Sequence, residues 1–216
     1  MNKIYEKYVN EEFSKPIKDS TLNVVGYGIY NNLNKNKATK RYFLRINLNN
    51  HENNNKTLIA ILMNPSKTYP DTGFDRTIKA VIKIAKKEKY KELIVLNSFP
   101  DIESDSSKAQ MNYTKDTINT EFIKTFLNNY NEKFDIFSAC GDIISDELFN
   151  NYLKQINECT NKNKGYLWTF ANLTKKGRTR HVSPKARYNI KLLKDFMENK
   201  TKKQLLKIES GTLQIL

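Results

Sequence analysis

Cysteine and histidine are scarce in this chain. Its 216 residues contain two of each, Cys140 and Cys159, His51 and His181. There is no CxxC pair and no HExxH pattern, and the two histidines stand far apart, which argues against a zinc enzyme. No metal and no cofactor are expected. The cysteines are too few for a disulfide framework. Cys140 lies in an apolar run and reads as a small core residue, Cys159 ends a helical pattern, and a reducing cytoplasm suits both. Long hydrophobic runs are also missing. No stretch approaches transmembrane length, and the opening segment MNKIYEKYVNEEF lacks the apolar core of a signal peptide, so a soluble cytoplasmic protein with no membrane partner is expected. The chain has no internal repeat and no low-complexity segment beyond a bias to Asn and Lys.

Acidic residues are outnumbered, 23 Asp and Glu against 37 Lys and Arg, a formal charge of +14. That balance favours a polyanionic partner, either nucleic acid or an anionic membrane surface; of the nucleic acids, DNA is expected more than RNA. Lys, Asn and Ile all have A/T-rich codons, so part of the excess follows from coding bias. With 38% hydrophobic and 11% aromatic residues the chain can fill one core, while its length argues against two. We expect a single α/β domain over residues 1–216, with a peripheral arm at 1–20, a C-terminal appendage at 200–216, and a monomer.

The organising stretch is Leu58 to Ser66. Its apolar residues run without alternation, as in a strand covered on both faces, and stop at Asn64-Pro65-Ser66. Leu93 to Asn97 repeats the pattern, a buried strand closed by an amide. Phe134 to Cys140 is a third such run, closed by Gly141, and Tyr166 to Phe170 a fourth. Between them lie helices: one starting at Asp75, a suitable N-cap, with Ile78, Val81, Ile82 and Ala85 on one face; one over 114–130 with Ile118, Phe122, Ile123, Phe126 and Leu127; and one over 145–159. Strands alternating with helices predict parallel pairing and a three-layer α/β/α sandwich around a mainly parallel sheet. Asn23 to Tyr30 and Lys40 to Leu48 read as a half-exposed antiparallel hairpin attached to it. In the second of these, Tyr42, Leu44, Ile46 and Leu48 share one face and Arg41, Phe43, Arg45 and Asn47 the other.

In open α/β sheets ligands bind outside the carboxyl ends of the strands. The topology therefore gathers Asn64, Pro65, Ser66, Asn97, Gly141 and His181 along one edge. Around His181 cluster Lys175, Lys176, Arg178 and Arg180, followed by Lys185 and Arg187; with Lys67 these are candidates to neutralise phosphates. Ser183 before Pro184 marks a helix start. Tyr69, Phe74 and Phe99 are aromatics that could stack a base or pack in the core. Asp71 and Asp75 are the nearby carboxylates, the second also explained as a helix cap.

Taken in order, Leu-Met-Asn-Pro-Ser, Val-Leu-Asn-Ser-Phe, Ala-Cys-Gly-Asp and Gly-Arg-Thr-Arg-His-Val-Ser-Pro resemble a bacterial and phage family known only as a domain of unknown function, over roughly residues 40–187. The same series is similar, more distantly, to the uracil-DNA glycosylase superfamily. Asn64-Pro65 matches the first motif of the mismatch-specific branch, where a polar residue orients water. Asn97 matches the Asn that reads the base edge, Cys140-Gly141 is a degenerate match to a Trp-Gly pair, and His181-Val182-Ser183-Pro184 differs by one residue from His-Pro-Ser-Pro. The resemblance implies a glycosylase that cuts the N-glycosidic bond of a flipped modified or deaminated base. Asn64 and His181 would be catalytic with help from Asp71 or Asp75, and Asn97, Pro65, Ser66, Phe99, Gly141 and Ser183 would contact substrate. His181, just before a helix start, is expected to be neutral. A non-catalytic nucleic-acid binder, another nucleotide or nucleoside chemistry, and a protein-interaction role are the alternatives.

Overall fold

The structure, a computed structural model, describes residues 15–31, 38–49, 55–66, 68, 71–103, 117–142, 167–169, 179–182, 206–209 and 212–215. Its elements in chain order are β1 (Ile17–Asp19), β2 (Val24–Tyr30), β3 (Arg41–Asn47), β4 (Thr57–Leu62), α1 (Arg76–Lys87), β5 (Glu92–Asn97), α2 (Thr117–Asn129), β6 (Phe134–Ala139), β7 (Leu167–Trp168), β8 (Leu206–Glu209) and β9 (Thr212–Ile215). A seven-stranded sheet runs in the order β1-β2-β3-β5-β4-β6-β7, and β8 with β9 forms a separate antiparallel pair.

The unalternating apolar runs occupy the middle of this sheet. β4 pairs in parallel with β5 on one side and β6 on the other, ending at Leu62↔Asn97 and Leu62↔Ala139. Every residue of these three strands is buried, because each has a packed layer above and below it. On one face α1 contributes Ile78, Val81, Ile82, Ile84 and Ala85 to a cluster with Leu58, Ala60, Leu62, Leu93 and Val95. On the other, α2 contributes Phe122, Ile123, Phe126 and Leu127 to a cluster with Phe43, Ile59, Ile61, Ile94 and Leu96. Phe43 meets Phe126 edge-on with ring centroids 5.5 Å apart. Ile118 falls outside this stripe and is exposed.

Two helices on opposite faces follow from the strand order. The chain leaves β4 to β5 on one side, then crosses back to β6 on the far side of β4; right-handed crossovers in opposite directions place their helices on opposite faces. From β6 the parallel order continues outward to β7. The connections therefore diverge between β4 and β6, and the crevice that binds ligands in such sheets opens at their carboxyl ends, just after Met63 and Ala139.

The N-terminal strands correct the expectation. The sheet is mixed, not mainly parallel: β1-β2, β2-β3 and β3-β5 are antiparallel. β2 and β3 are not an attached half-exposed hairpin, since β3 pairs with β5 from Leu44↔Val95 to Asn47↔Glu92 and takes the edge that β4 leaves open. With both faces covered, Phe43 and Leu44 are both buried, and only Arg45 and Asn47 of β3 reach solvent. The pairing of β2 with β3 passes from Ile29↔Phe43 to Tyr30↔Arg41, so Tyr42 is an extra residue in a bulge. Tyr42 and Phe43 consequently join the same cluster, and the face-by-face reading of this strand fails at its start. Ile17–Asp19, placed in the arm by sequence, is the edge strand β1, with Ile17 fully buried.

Candidate functional site

At the crevice, β6 ends and Gly141 follows with φ +74°. A Cβ built on Gly141 would lie 3.0 Å from the Cβ of His181 and 3.0 Å from Cε of Met63, so the glycine backbone forms the seat of the histidine. His181 is half-buried, and the next residue, Val182, is fully buried in the α1-side cluster and fixes the segment there. Burial disfavours the imidazolium and lowers the pKa of His181, while the charge of Asp75 acts in the opposite direction. The downward shift thus comes from desolvation.

The side chain and N–H of Asp75 make three described hydrogen bonds. Oδ1 accepts from the backbone N–H of Ile78 at 3.0 Å as the N-cap of α1, Oδ2 accepts from Oγ1 of Thr68 at 2.6 Å, and the Asp75 N–H donates to that same Oγ1. The carbonyl of Thr68 in turn accepts from the hydroxyl of Tyr30 at 2.6 Å. This chain ties β2, the loop after β4 and the start of α1 to one another beside His181.

Asn97 closes β5 and is 1% exposed. Its register partner is Leu62, so its side chain lies on the α1 side of the sheet. The bulge at Tyr42 turns Arg41 to the same side, where Nη2 donates to Oδ1 of Asn97 at 3.5 Å. Arg41 is also 1% exposed, and its Nε and Nη1 and the Nδ2 of Asn97 meet no hydrogen-bond partner among the described residues. From the α2 side, Asn119 donates to the carbonyls of Asn97 at 2.9 Å and Ser98 at 3.2 Å, holding the strand end in place.

Asn64 follows β4 and is half-buried. Its Nδ2 donates to the carbonyl of Pro65 at 3.1 Å and to that of Glu103 at 2.7 Å, so its amide straps the loop after β5 onto the loop after β4. Pro65 is buried and Ser66 half-buried. Phe99 packs in the α2-side core and Phe74 in the α1-side core. Asp71 and Arg180 are exposed. Ser183, Lys67, Lys175, Lys176, Arg178, Lys185, Arg187 and Tyr69 lie outside the described residues, as does Cys159; Cys140 is fully buried, its Sγ 3.3 Å from Oγ1 of Thr179.

The structure thus brings together Gly141, His181 and Asp75, and separately Asn97 with Arg41, all at the carboxyl edge. Sequence reasoning missed Arg41, Thr68 and Asn119. Arg41 was assigned to a polar strand face, and only the bulge, which has no local sequence mark, reverses it. Among the described residues no cluster of His, Cys, Asp and Glu could hold a metal ion. No described helix is long and apolar enough to cross a membrane.

Fold and site define an α/β protein with a mixed sheet and a polar constellation at the carboxyl ends of its parallel strands. The chain belongs to the family described as protein of unknown function (DUF1643), whose model matches residues 41–182, about two thirds of its length. That span begins at Arg41 and ends just past His181. No curated protein matches the chain. A candidate acetyl xylan esterase from Bacteroides fragilis is similar in structure with a TM-score of 0.38 and 12% identity, covering 92% of this chain and 61% of that one. The chain therefore spans less than two thirds of that protein.

Proposed function

We propose that this protein is a DNA glycosylase-like enzyme, built on an α/β/α sandwich similar to uracil-DNA glycosylases, that hydrolyses the N-glycosidic bond of a flipped modified or deaminated base. The observation that supports this reading most is Asn97, a buried side-chain amide at a strand end with an unpartnered donor. Because a guanidinium only donates, its neighbour Arg41 takes the oxygen of that amide and leaves Nδ2 directed as a donor, suited to a carbonyl on a base edge. His181, whose imidazolium is disfavoured by burial and which sits against Gly141, donates to the base as negative charge develops on it. Water adds to C1′, the C1′–N bond breaks with its electron pair leaving on the base, and the base gains the proton lost by the water. Asn64 has its amide nitrogen engaged, so its Oδ1 is the atom that would orient this water. Asp75 acts on His181 through charge, and Asp71, exposed in the loop after β4, is the second candidate carboxylate. Exposed Arg180 and the basic residues around it bind the DNA backbone without reading sequence.

The test is incubation of the protein with single-stranded and duplex DNA carrying a panel of deaminated, alkylated and otherwise modified bases, followed by detection of abasic sites. The expected result is abasic product without added metal, reduced about 100-fold or more by Asn97→Ala and by His181→Ala. Tight, salt-sensitive DNA binding with no abasic product on any substrate would turn the reading to a non-catalytic nucleic-acid binder. The buried Arg41 favours a second reading, the processing of a small anionic nucleotide, for which hydrolysis of free nucleotides or nucleosides is the assay.

A further inference from the structure

Arg41 is the one described arginine that is fully buried, and among the described residues no carboxylate pairs with it. Its single described side-chain hydrogen bond is long and goes to a neutral amide, and its Nε and Nη1 have no hydrogen-bond partner among the described residues. A guanidinium carries its charge wherever it sits in a protein. A buried charge without a counter-charge is strongly destabilising, and natural proteins retain one where something binds to it. The position is fixed: the Arg41 N–H donates to the carbonyl of Pro100 at 2.8 Å, and Asn119 pins the end of β5 from the other face. Beside the free guanidinium nitrogens lies another unused donor, Nδ2 of Asn97, so described donors are in excess at this place and described acceptors are lacking.

We propose that Arg41 and Asn97 form an oxyanion-binding subsite at the carboxyl edge of the sheet, taking the phosphate or carboxylate group of a small molecule. Guanidinium and amide N–H donors side by side match such a group, and burial makes each charge-assisted bond stronger than it would be in water. A small ligand fits better than the backbone of a nucleic acid, since a guanidinium 1% exposed offers little to a long polyanion that stays in solvent. The subsite rests on the second reading above, a small anionic nucleotide, in which the anion takes the Nδ2 donor that the glycosylase reading gives to a base carbonyl.

The experiment is thermal unfolding of the full chain in a low-salt zwitterionic buffer, titrated separately with inorganic phosphate, acetate and a short single-stranded oligonucleotide. Wild type, Arg41→Met and Asn97→Asp are compared. The wild-type Tm is expected to rise by about 5–10 °C at a hundredfold excess of phosphate or acetate over its Kd, and whichever acts at lower concentration names the group. Arg41→Met is expected not to respond. Asn97→Asp, which places a carboxylate beside the guanidinium, is expected to raise Tm before any anion is added and to abolish the response. A general salt effect would move all three proteins alike and would overturn the proposal, as would no response in wild type. Response to the oligonucleotide alone would overturn the assignment to a small ligand. Should Arg41→Met fail to fold, Asn97→Asp decides: a lowered Tm without anion, or a wild-type response to it, would show that Arg41 lacks no counter-charge.

Discussion

Gly141 and His181 lie so close that a Cβ at position 141 would stand 3.0 Å from the Cβ of His181, nearer than ordinary van der Waals contact, so the histidine would have to give way. The seat also requires φ +74°, which L-residues other than Gly adopt only at a cost. Gly141→Ala is expected to lose about 1–2 kcal/mol from backbone strain alone and to displace His181. Urea denaturation measures the first effect, and a changed imidazole chemical shift reports the second. A variant with wild-type stability and an unmoved imidazole would show that the contact is slack.

The charge of Asp75 opposes the desolvation of His181, so Asp75→Asn is expected to lower the His181 pKa further while keeping a competent N-cap on α1. Titration of the imidazole by NMR tests this, and a raised pKa would refute the coupling. The sign for stability follows. With its pKa lowered in the folded state, His181 takes up a proton more readily when unfolded, so the protein loses stability as pH falls from about 6.5 towards the folded pKa. His181→Phe is expected to flatten the pH dependence of stability across that window.

Asn64 separates a structural role from a chemical one. Asn64→Asp cannot donate to the carbonyls of Pro65 and Glu103, and is expected to cost about 1–3 kcal/mol at neutral pH. It is also expected to speed amide exchange at Glu103, whose N–H donates to Pro65. If Oδ1 orients the hydrolytic water, a carboxylate is the better base and turnover should rise even as stability falls. A fall in both would assign Asn64 to the strap alone.

At the opposite end of the strands, the hydroxyl of Tyr90 donates to Oδ2 of the buried Asp135 at 2.8 Å. Burial, and then the charge of Asp135, pushes the Tyr90 hydroxyl above its ordinary range. Lys56 lies 3.4 Å from the same oxygen. Tyr90→Phe removes a donor from a buried carboxylate and is expected to cost about 1–3 kcal/mol in chemical denaturation, with no effect on ligand binding at the carboxyl edge.

Much of the frame was legible because its signals are local. Leu58–Leu62, Leu93–Leu96 and Phe134–Ala139 announced buried strands by apolar runs that do not alternate, and Asp75 with Ile78, Val81, Ile82 and Ala85 announced α1 by its cap and its period. The N-terminal strands were read less well. Tyr42 to Leu48 alternate as a half-exposed strand would, yet β3 lies between β2 and β5 with both faces covered. Which edge of β5 is filled, and by what, is decided by packing at long range and leaves no mark in the pattern of a single segment.

The sequence by itself determined where polar groups interrupt buried strands, and hence that Asn64, Asn97 and Gly141 stand at strand ends. Their spacing along the chain carries that information, because a strand's carboxyl end is a property of the strand. Tertiary structure decided what each of those groups is free to do. It engaged the amide nitrogen of Asn64 with backbone carbonyls, spent Asp75 on a helix cap beside His181, and left Nδ2 of Asn97 without a partner among the described residues. Above all, one extra residue in β3 turned Arg41 from an expected solvent-facing strand residue into a buried charge. The reason is physical: hydrogen-bond partners and burial depend on which distant segments meet, and a single bulge reverses a face without altering the pattern that predicted it.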